Sequence, residues 1–311
     1  MRIAFVGKGG SGKTTLAALF SRFLAQRHIK VLAIDADINQ HLASALNITQ
    51  TPHQMGNEIN VIKDYLRGNN PRIASSETMI KTTPPGLGSR LLKPFEENIL
   101  FEHFARHENG IRLLATGGFS QDDIGTKCYH SKTGAVELLL NHMIDTPEEY
   151  ILTDMTAGAD SFASGLFTKF DITCVVVEPT LKSIAVYKQY KQYASEFNIP
   201  IVVIANKIIT TNDIQFLTEN IDSAILATLP DSHYVRSLEK GNKKTFDELE
   251  EETVSALEIL YRYTATVAQN REAMHNHALL FHIKNAESWG NTATGVDLTK
   301  QIDPHFIFPA A

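Results

Sequence analysis

Short apolar, β-branched runs alternate along the chain with longer stretches in which apolar residues recur at helical spacing. The runs Arg2–Val6, Lys30–Asp35, Ile111–Thr116, Tyr150–Asp154, Ile172–Glu178, Pro200–Ala205 and Ser223–Leu229 predict strands. Lys13–Gln26, Lys132–Ile144 and Leu181–Phe197 predict helices. So does a long stretch from about Phe246 to about His275, where Leu249, Leu257, Leu260 and Val267 can share one face. Strands alternating with helices make a parallel sheet with crossover connections, so the expected class is α/β, a doubly wound, mostly parallel sheet.

Two segments interrupt the pattern. Ile48–Leu100 carries Pro52, Gly68, Asn69, Asn70, Pro71, Pro84, Pro85, Gly86 and Gly88, which predicts loop and short helix inserted after the second strand unit. Gln269–Ala311 holds His275, His277, His282 and His305, Trp289 and a polar stretch over Gly290–Thr294. The expected organisation is one domain over 1–268, with the irregular insert 48–100, followed by a tail over 269–311 that serves as a partner-binding extension. His275 and His277 lie two apart, so on a helix their rings diverge and cannot chelate one ion, whereas in an extended segment they could.

Composition narrows the function. Lys plus Arg total 29 against 35 Asp plus Glu, a net charge of −6, which supplies no chain-wide attraction to nucleic acid or acidic lipid. Two cysteines, Cys128 and Cys174, are too few for a disulfide framework and suit a reducing compartment. No apolar run approaches the ~20 residues that span a bilayer, and the expected location is the cytoplasm.

The chemistry concentrates where the first strand meets the first helix. Gly7-Lys8-Gly9-Gly10-Ser11-Gly12-Lys13-Thr14 matches G-x-x-x-x-G-K-[ST] in the context that motif demands. Glycines let successive N–H groups turn inward on an anion, the helix N-terminus adds its dipole, and Lys13 reaches the β and γ phosphates of ATP. The Thr14 hydroxyl can ligate Mg²⁺, and Thr15 completes the nucleotide-binding run.

Lys8 is an extra lysine that ordinary P-loops lack. With it the chain resembles the deviant Walker A ATPases, the group of MinD, ParA and the nitrogenase iron protein. In that group the matching lysine reaches a partner's phosphates across a nucleotide-sandwiched dimer, so the resemblance implies a homodimer with Lys8, Lys13 and Asp37 as catalytic residues. It assigns Asp37 to orienting the attacking water and Asp35 to the magnesium neighbourhood. Asp154 is expected to hold Mg²⁺ through water, while Gly158 frees a switch loop. Asn206, with Lys207, matches the group's adenine contact, and Pro230 its later proline contact.

Thr126-Lys127-Cys128-Tyr129-His130, Thr153-Asp154-Met155-Thr156-Ala157-Gly158 and Val177-Glu178-Pro179-Thr180 resemble the CooC-type nickel-insertion ATPases of carbon monoxide dehydrogenase. That resemblance implies an ATP-hydrolysing homodimeric switch that assists metal insertion or maturation of a client metalloenzyme. The family has Cys-x-Cys where this chain has Cys128-x-His130. A Cys-x-His pair from each subunit would still make a Cys₂His₂ set at a dimer axis, adequate for Zn²⁺ or Ni²⁺. Cys128 reads equally well as a small packed residue and His130 as a helix-cap residue. Two rival functions share the nucleotide fold: a ParA/MinD-type partition or positioning ATPase, which the acidic balance disfavours, and an amide-forming ligase of the cobyrinic acid diamide synthase type.

Overall fold

The computed structural model describes residues 1–119, 129–242 and 244–309, the side chains of 129–131, 159 and 160 aside. The strands are β1 (Arg2–Gly7), β2 (Val31–Ala36), β3 (Arg106–Glu108), β4 (Ile111–Ala115), β5 (Tyr150–Met155), β6 (Ile172–Val177), β7 (Ile201–Ile208) and β8 (Ile225–Pro230). They form one sheet in the order β3-β4-β2-β5-β1-β6-β7-β8. All pair in parallel except β3, a short edge strand antiparallel to β4 that the sequence pattern does not announce. The helices are α1 (Lys13–Gln26), α2 (Leu42–Ala45), α3 (Ile59–Arg67), α4 (Ile99–Phe104), α5 (Tyr129–Asn141), α6 (Leu181–Glu196), α7 (Thr211–Asn220), α8 (His233–Glu239), α9 (Glu251–Thr264), α10 (Arg271–Asn285) and α11 (Asn291–Thr294). No described helix is long and apolar enough to cross a membrane.

Both faces of the sheet are covered, which is why its central strands are apolar throughout rather than alternating. Along β1, Ile3 and Phe5 face α1 and α9, packing with Phe20, Phe23, Leu257 and Leu260. Ala4 and Val6 face the opposite layer with Leu139, Tyr187 and Leu217. Cys174 on β6 is fully buried in the first layer, and burial pushes its thiol far above the ordinary range. It is packing material.

The predicted long helix from Phe246 to His275 is not continuous. After a 3₁₀ turn over Phe246–Glu248, α9 ends at Thr264 and α10 begins only at Arg271. The break has a tertiary cause. Asn270 N–H donates to Asp171 Oδ1 at 3.4 Å while its side chain caps α10, and Gln269 Nε2 donates to Asp145 Oδ2 at 2.9 Å. These contacts to the lower rim of the sheet replace helical bonds that periodicity alone would favour.

The insert and the tail pack on each other. The fully buried His282 ring of α10 lies between Thr82 Oγ1 at 3.3 Å and the Leu298 carbonyl at 3.0 Å. Gln301 donates to the Thr78 carbonyl, and Leu87 N–H donates to Asp303 Oδ2 at 2.9 Å. His275 and His277 both lie on α10, against Phe306 and Phe308 and against Phe197 respectively, so they face different neighbours.

Candidate functional site: a phosphate loop ringed by strand-end carboxylates

β1 sits at the switch point of the sheet, flanked by β5 and β6, and runs straight into the loop that opens α1. Gly7 must be glycine: a Cβ there would press on the Val176 carbonyl and on Ser11 Oγ. Gly10 and Gly12 adopt left-handed backbone, with φ of +80° and +96°. A Cβ on Gly12 would also collide with the Asn206 amide.

Parallel register brings the carboxylates together. Asp35 on β2 pairs directly with Asp154 on β5, and Asp154 pairs with Phe5 on β1, so both acids stand at the carboxyl ends of adjacent strands beneath the loop. Lys13 Nζ lies 2.5 Å from Asp37 Oδ2 and 3.8 Å from Asp154 Oδ1, and Thr14 Oγ1 donates to Asp154 Oδ2 at 2.6 Å. The other Asp37 oxygen accepts from the backbone and side-chain N–H of Asn39, both at 3.0 Å. Asp35 accepts from the N–H groups of Asp37 and Leu42, which sets the turn after β2.

Burial dominates the electrostatics. It raises Asp154 to about 7 against the pull of Lys13 and Thr14, and raises Asp35 to about 6 against the Leu42 and Asp37 N–H groups. Asp154 Oδ1 is buried with no hydrogen-bond partner. A buried, under-partnered carboxylate beside a threonine hydroxyl suits a hard cation, so Thr14 and Asp154, with Asp35 behind them, fit Mg²⁺ by donor chemistry.

On the other side of the loop, β7 runs on past its predicted end at Ala205, through Asn206 and Lys207 to Ile208. Asn206 Nδ2 donates to the Ser11 carbonyl at 2.8 Å and Lys207 Nζ to the Gly10 carbonyl at 2.6 Å. In this structure both brace the phosphate loop. Pro230 ends β8 opposite Ile208, next to that brace. Gly158 has φ of +72° and open space where a Cβ would stand, so it is the backbone conformation and not crowding that favours glycine there.

Sequence reasoning missed Glu178 as a site residue. It follows β6, accepts from Lys8 Nζ at 2.7 Å and lies 3.3 Å from Lys207 Nζ. Burial works against its charge, but the two lysines outweigh it and hold the carboxyl below its ordinary range. An acid ending an apolar strand, like Asp154, was the available signal. Cys128 lies outside the described residues. His130 falls in the first turn of α5, its side chain outside them.

A family model, the CobQ/CobB/MinD/ParA nucleotide binding domain, matches residues 3–245. The chain belongs to this family. Within the CobQ/CobB/MinD/ParA family it is similar to the carbon monoxide dehydrogenase accessory protein CooC of Rhodospirillum rubrum, 28% identical over 250 residues that cover 79% of this chain and 90% of that protein. Its fold is that of the Pyrococcus furiosus cell division ATPase MinD, with a TM-score of 0.54, 17% identity and coverage of 84% of this chain and 98% of the other. A ParA family ATPase from Chlorobium tepidum TLS gives a TM-score of 0.51 at 19% identity, over 89% of this chain and 97% of that one.

Proposed function

We propose that this chain is a Mg²⁺-dependent ATPase that works as a homodimeric, cytoplasmic switch and assists a client protein, a metalloenzyme acquiring its metal. The observation that carries the ATPase reading is the Lys13–Asp37 pair at 2.5 Å inside a glycine loop. Lys13 has a carboxylate where a γ-phosphate would sit, so arriving nucleotide exchanges one anion for another on the same ammonium. Asp37 is thereby released from Lys13 and becomes available to orient water. Binding and switching share one ion pair.

Thr14 and Asp154 would hold Mg²⁺, which supplies charge neutralisation at the phosphates. Gly7 to Thr15 cradle the phosphates, and Asn206, Lys207 and Pro230 border the base. Lys8, held in its own chain by Glu178, is the residue that would cross to a partner's nucleotide. The similarity to an accessory protein of carbon monoxide dehydrogenase supports the client reading. The interlocked insert and tail, which carry no phosphate chemistry, are the surface offered to that client.

Phosphate release and nucleotide binding test the core of this reading. Lys13→Ala should lose ATP binding, whereas Asp37→Asn should keep it and hydrolyse about 10²-fold more slowly. Hydrolysis at the wild-type rate in Asp37→Asn would remove Asp37 from the reaction.

A further inference from the structure

The insert and the helix that follows it bring together His53, Glu58 at the start of α3 and, some forty-five residues further along the chain, His103 in α4. His103 Nε2 lies 2.8 Å from Glu58 Oε2, and His53 Nδ1 lies 3.9 Å from Glu58 Oε1. The two imidazole rings are 4.7 Å apart, tilted by 35°. One ligand atom from each residue can be chosen so that all lie within 4.8 Å of one another. Each carboxylate oxygen is thus addressed by a different imidazole.

We infer that His53, Glu58 and His103 form a binding site for a borderline divalent transition metal, Zn²⁺ or Ni²⁺, that leaves a coordination position open. Ligand atoms about 2.1 Å from a tetrahedral ion stand roughly 3.4 Å from each other, so from separations within 4.8 Å the widest pair need close by at most about 1.4 Å, while the 2.8 Å His103–Glu58 pair opens slightly. All three side chains are partly exposed, 49%, 38% and 39%, which permits that adjustment and gives an ion access. Two imidazoles with one carboxylate is a donor set that takes zinc with a free position, and imidazole suits nickel equally. A simple Glu58–His103 ion pair tying α3 to α4 would need no second imidazole.

The frame holding the three is tied to the sheet and the core. Gln54 bridges to Ala115 at the end of β4, and Gly56 N–H donates to the Thr116 carbonyl at 2.9 Å. His103 stands between the buried Phe101 and Phe104. The same strand end serves the nucleotide side: Thr116 N–H donates to the Asp35 carbonyl at 2.8 Å, and Gly117 N–H to Gln40 Oε1 at 3.1 Å. The metal ligands are therefore one strand end away from the Asp35–Gln40 turn. The assignment does not depend on the ATPase reading.

Tag-free full-length protein is titrated with Zn²⁺ against a chromophoric chelator, and with Co²⁺ by absorption. We expect one ion at this site per chain, with ligand-field bands and no thiolate-to-cobalt charge transfer. His53→Ala and His103→Gln should each weaken Zn²⁺ at least about tenfold, and Cys128→Ser should leave this ion in place. His103→Gln keeps a hydrogen-bond donor for Glu58, so it separates a structural clasp from a ligand, and its thermal melt should match wild type. Wild-type Zn²⁺ affinity in His103→Gln overturns the site, as does a cobalt spectrum abolished by Cys128→Ser and untouched in His53→Ala.

Discussion

Two clusters of buried charge sit at opposite rims of one sheet, and they are built to opposite specifications. At the lower rim, the Asp145 carboxylate meets the N-terminal ammonium of Met1 at 3.3 Å, Arg2 at 2.8 Å and Arg271 at 3.1 Å. Burial opposes its charge, but Arg2, the terminal ammonium and Arg271 more than compensate and hold it at about 2. At the upper rim, Asp154 and Asp35 are as deeply buried, yet are left with raised values of about 7 and 6. A saturated carboxylate cements the fold. One without matching cations stays costly to ionise, and under the proposed function it is where Mg²⁺ would bind.

Asp145→Asn should have the largest effect on stability. It strands Arg2 without its anion in a buried site, which costs roughly 3–5 kcal/mol in denaturant unfolding, while nucleotide affinity of the folded protein stays unchanged. The pH dependence has a definite sign. Because the folded value lies below the unfolded 3.8, Asp145 contributes about 2 kcal/mol that is present above pH 4 and lost as pH falls towards 2. An unchanged melt in Asp145→Asn would erase the distinction between the two rims.

The same substitution at the upper rim should do the reverse. A folded value above the unfolded 3.8 means that nucleotide-free protein loses stability as pH rises from 4 to 7, as Asp154 is forced to ionise in a dry site. Asp154→Asn should therefore raise stability at pH 8 by at most about 4 kcal/mol, less what the lost Thr14 and Lys13 contacts contribute, with the gain fading below pH 4. Mg²⁺-dependent turnover should fall with it. A destabilised Asp154→Asn at pH 8 would make this carboxylate structural, like Asp145.

Glu178→Gln should be the mildest. Its ion pairs with Lys8 and Lys207 are partly exposed and contribute at most about 1 kcal/mol. Freeing Lys8 should tighten ATP-dependent self-association a few-fold in light scattering, whereas Lys8→Ala should weaken it and spare nucleotide binding. If neither variant shifts the association, Lys8 acts only within its own chain.

Much of this was legible along the chain, because the phosphate loop is a local object: its glycines, lysine and threonine are contiguous, and strand and helix periodicity flank them. The capping box of Thr210 and Asp213 that starts α7 is equally local, although the helix it opens carries too few buried apolar residues for periodicity to reveal it. Other features were illegible in principle. Nothing near Thr264 marks the end of α9, since the break is made by contacts to Asp145 and Asp171, which stand in the loops that precede β5 and β6.

The sequence by itself determined the fold class, the phosphate loop and which strands end in carboxylates, because short-range periodicity and contiguous motifs encode them. Only the tertiary structure decided that Asp35 and Asp154 stand side by side, that Glu178 grips Lys8, that the tail clasps the insert, and that His53, Glu58 and His103 converge. The physical reason is common to all four. Strand order and loop packing are fixed by burying apolar faces over the whole chain, and the polar groups carried on those elements meet wherever that burial puts them.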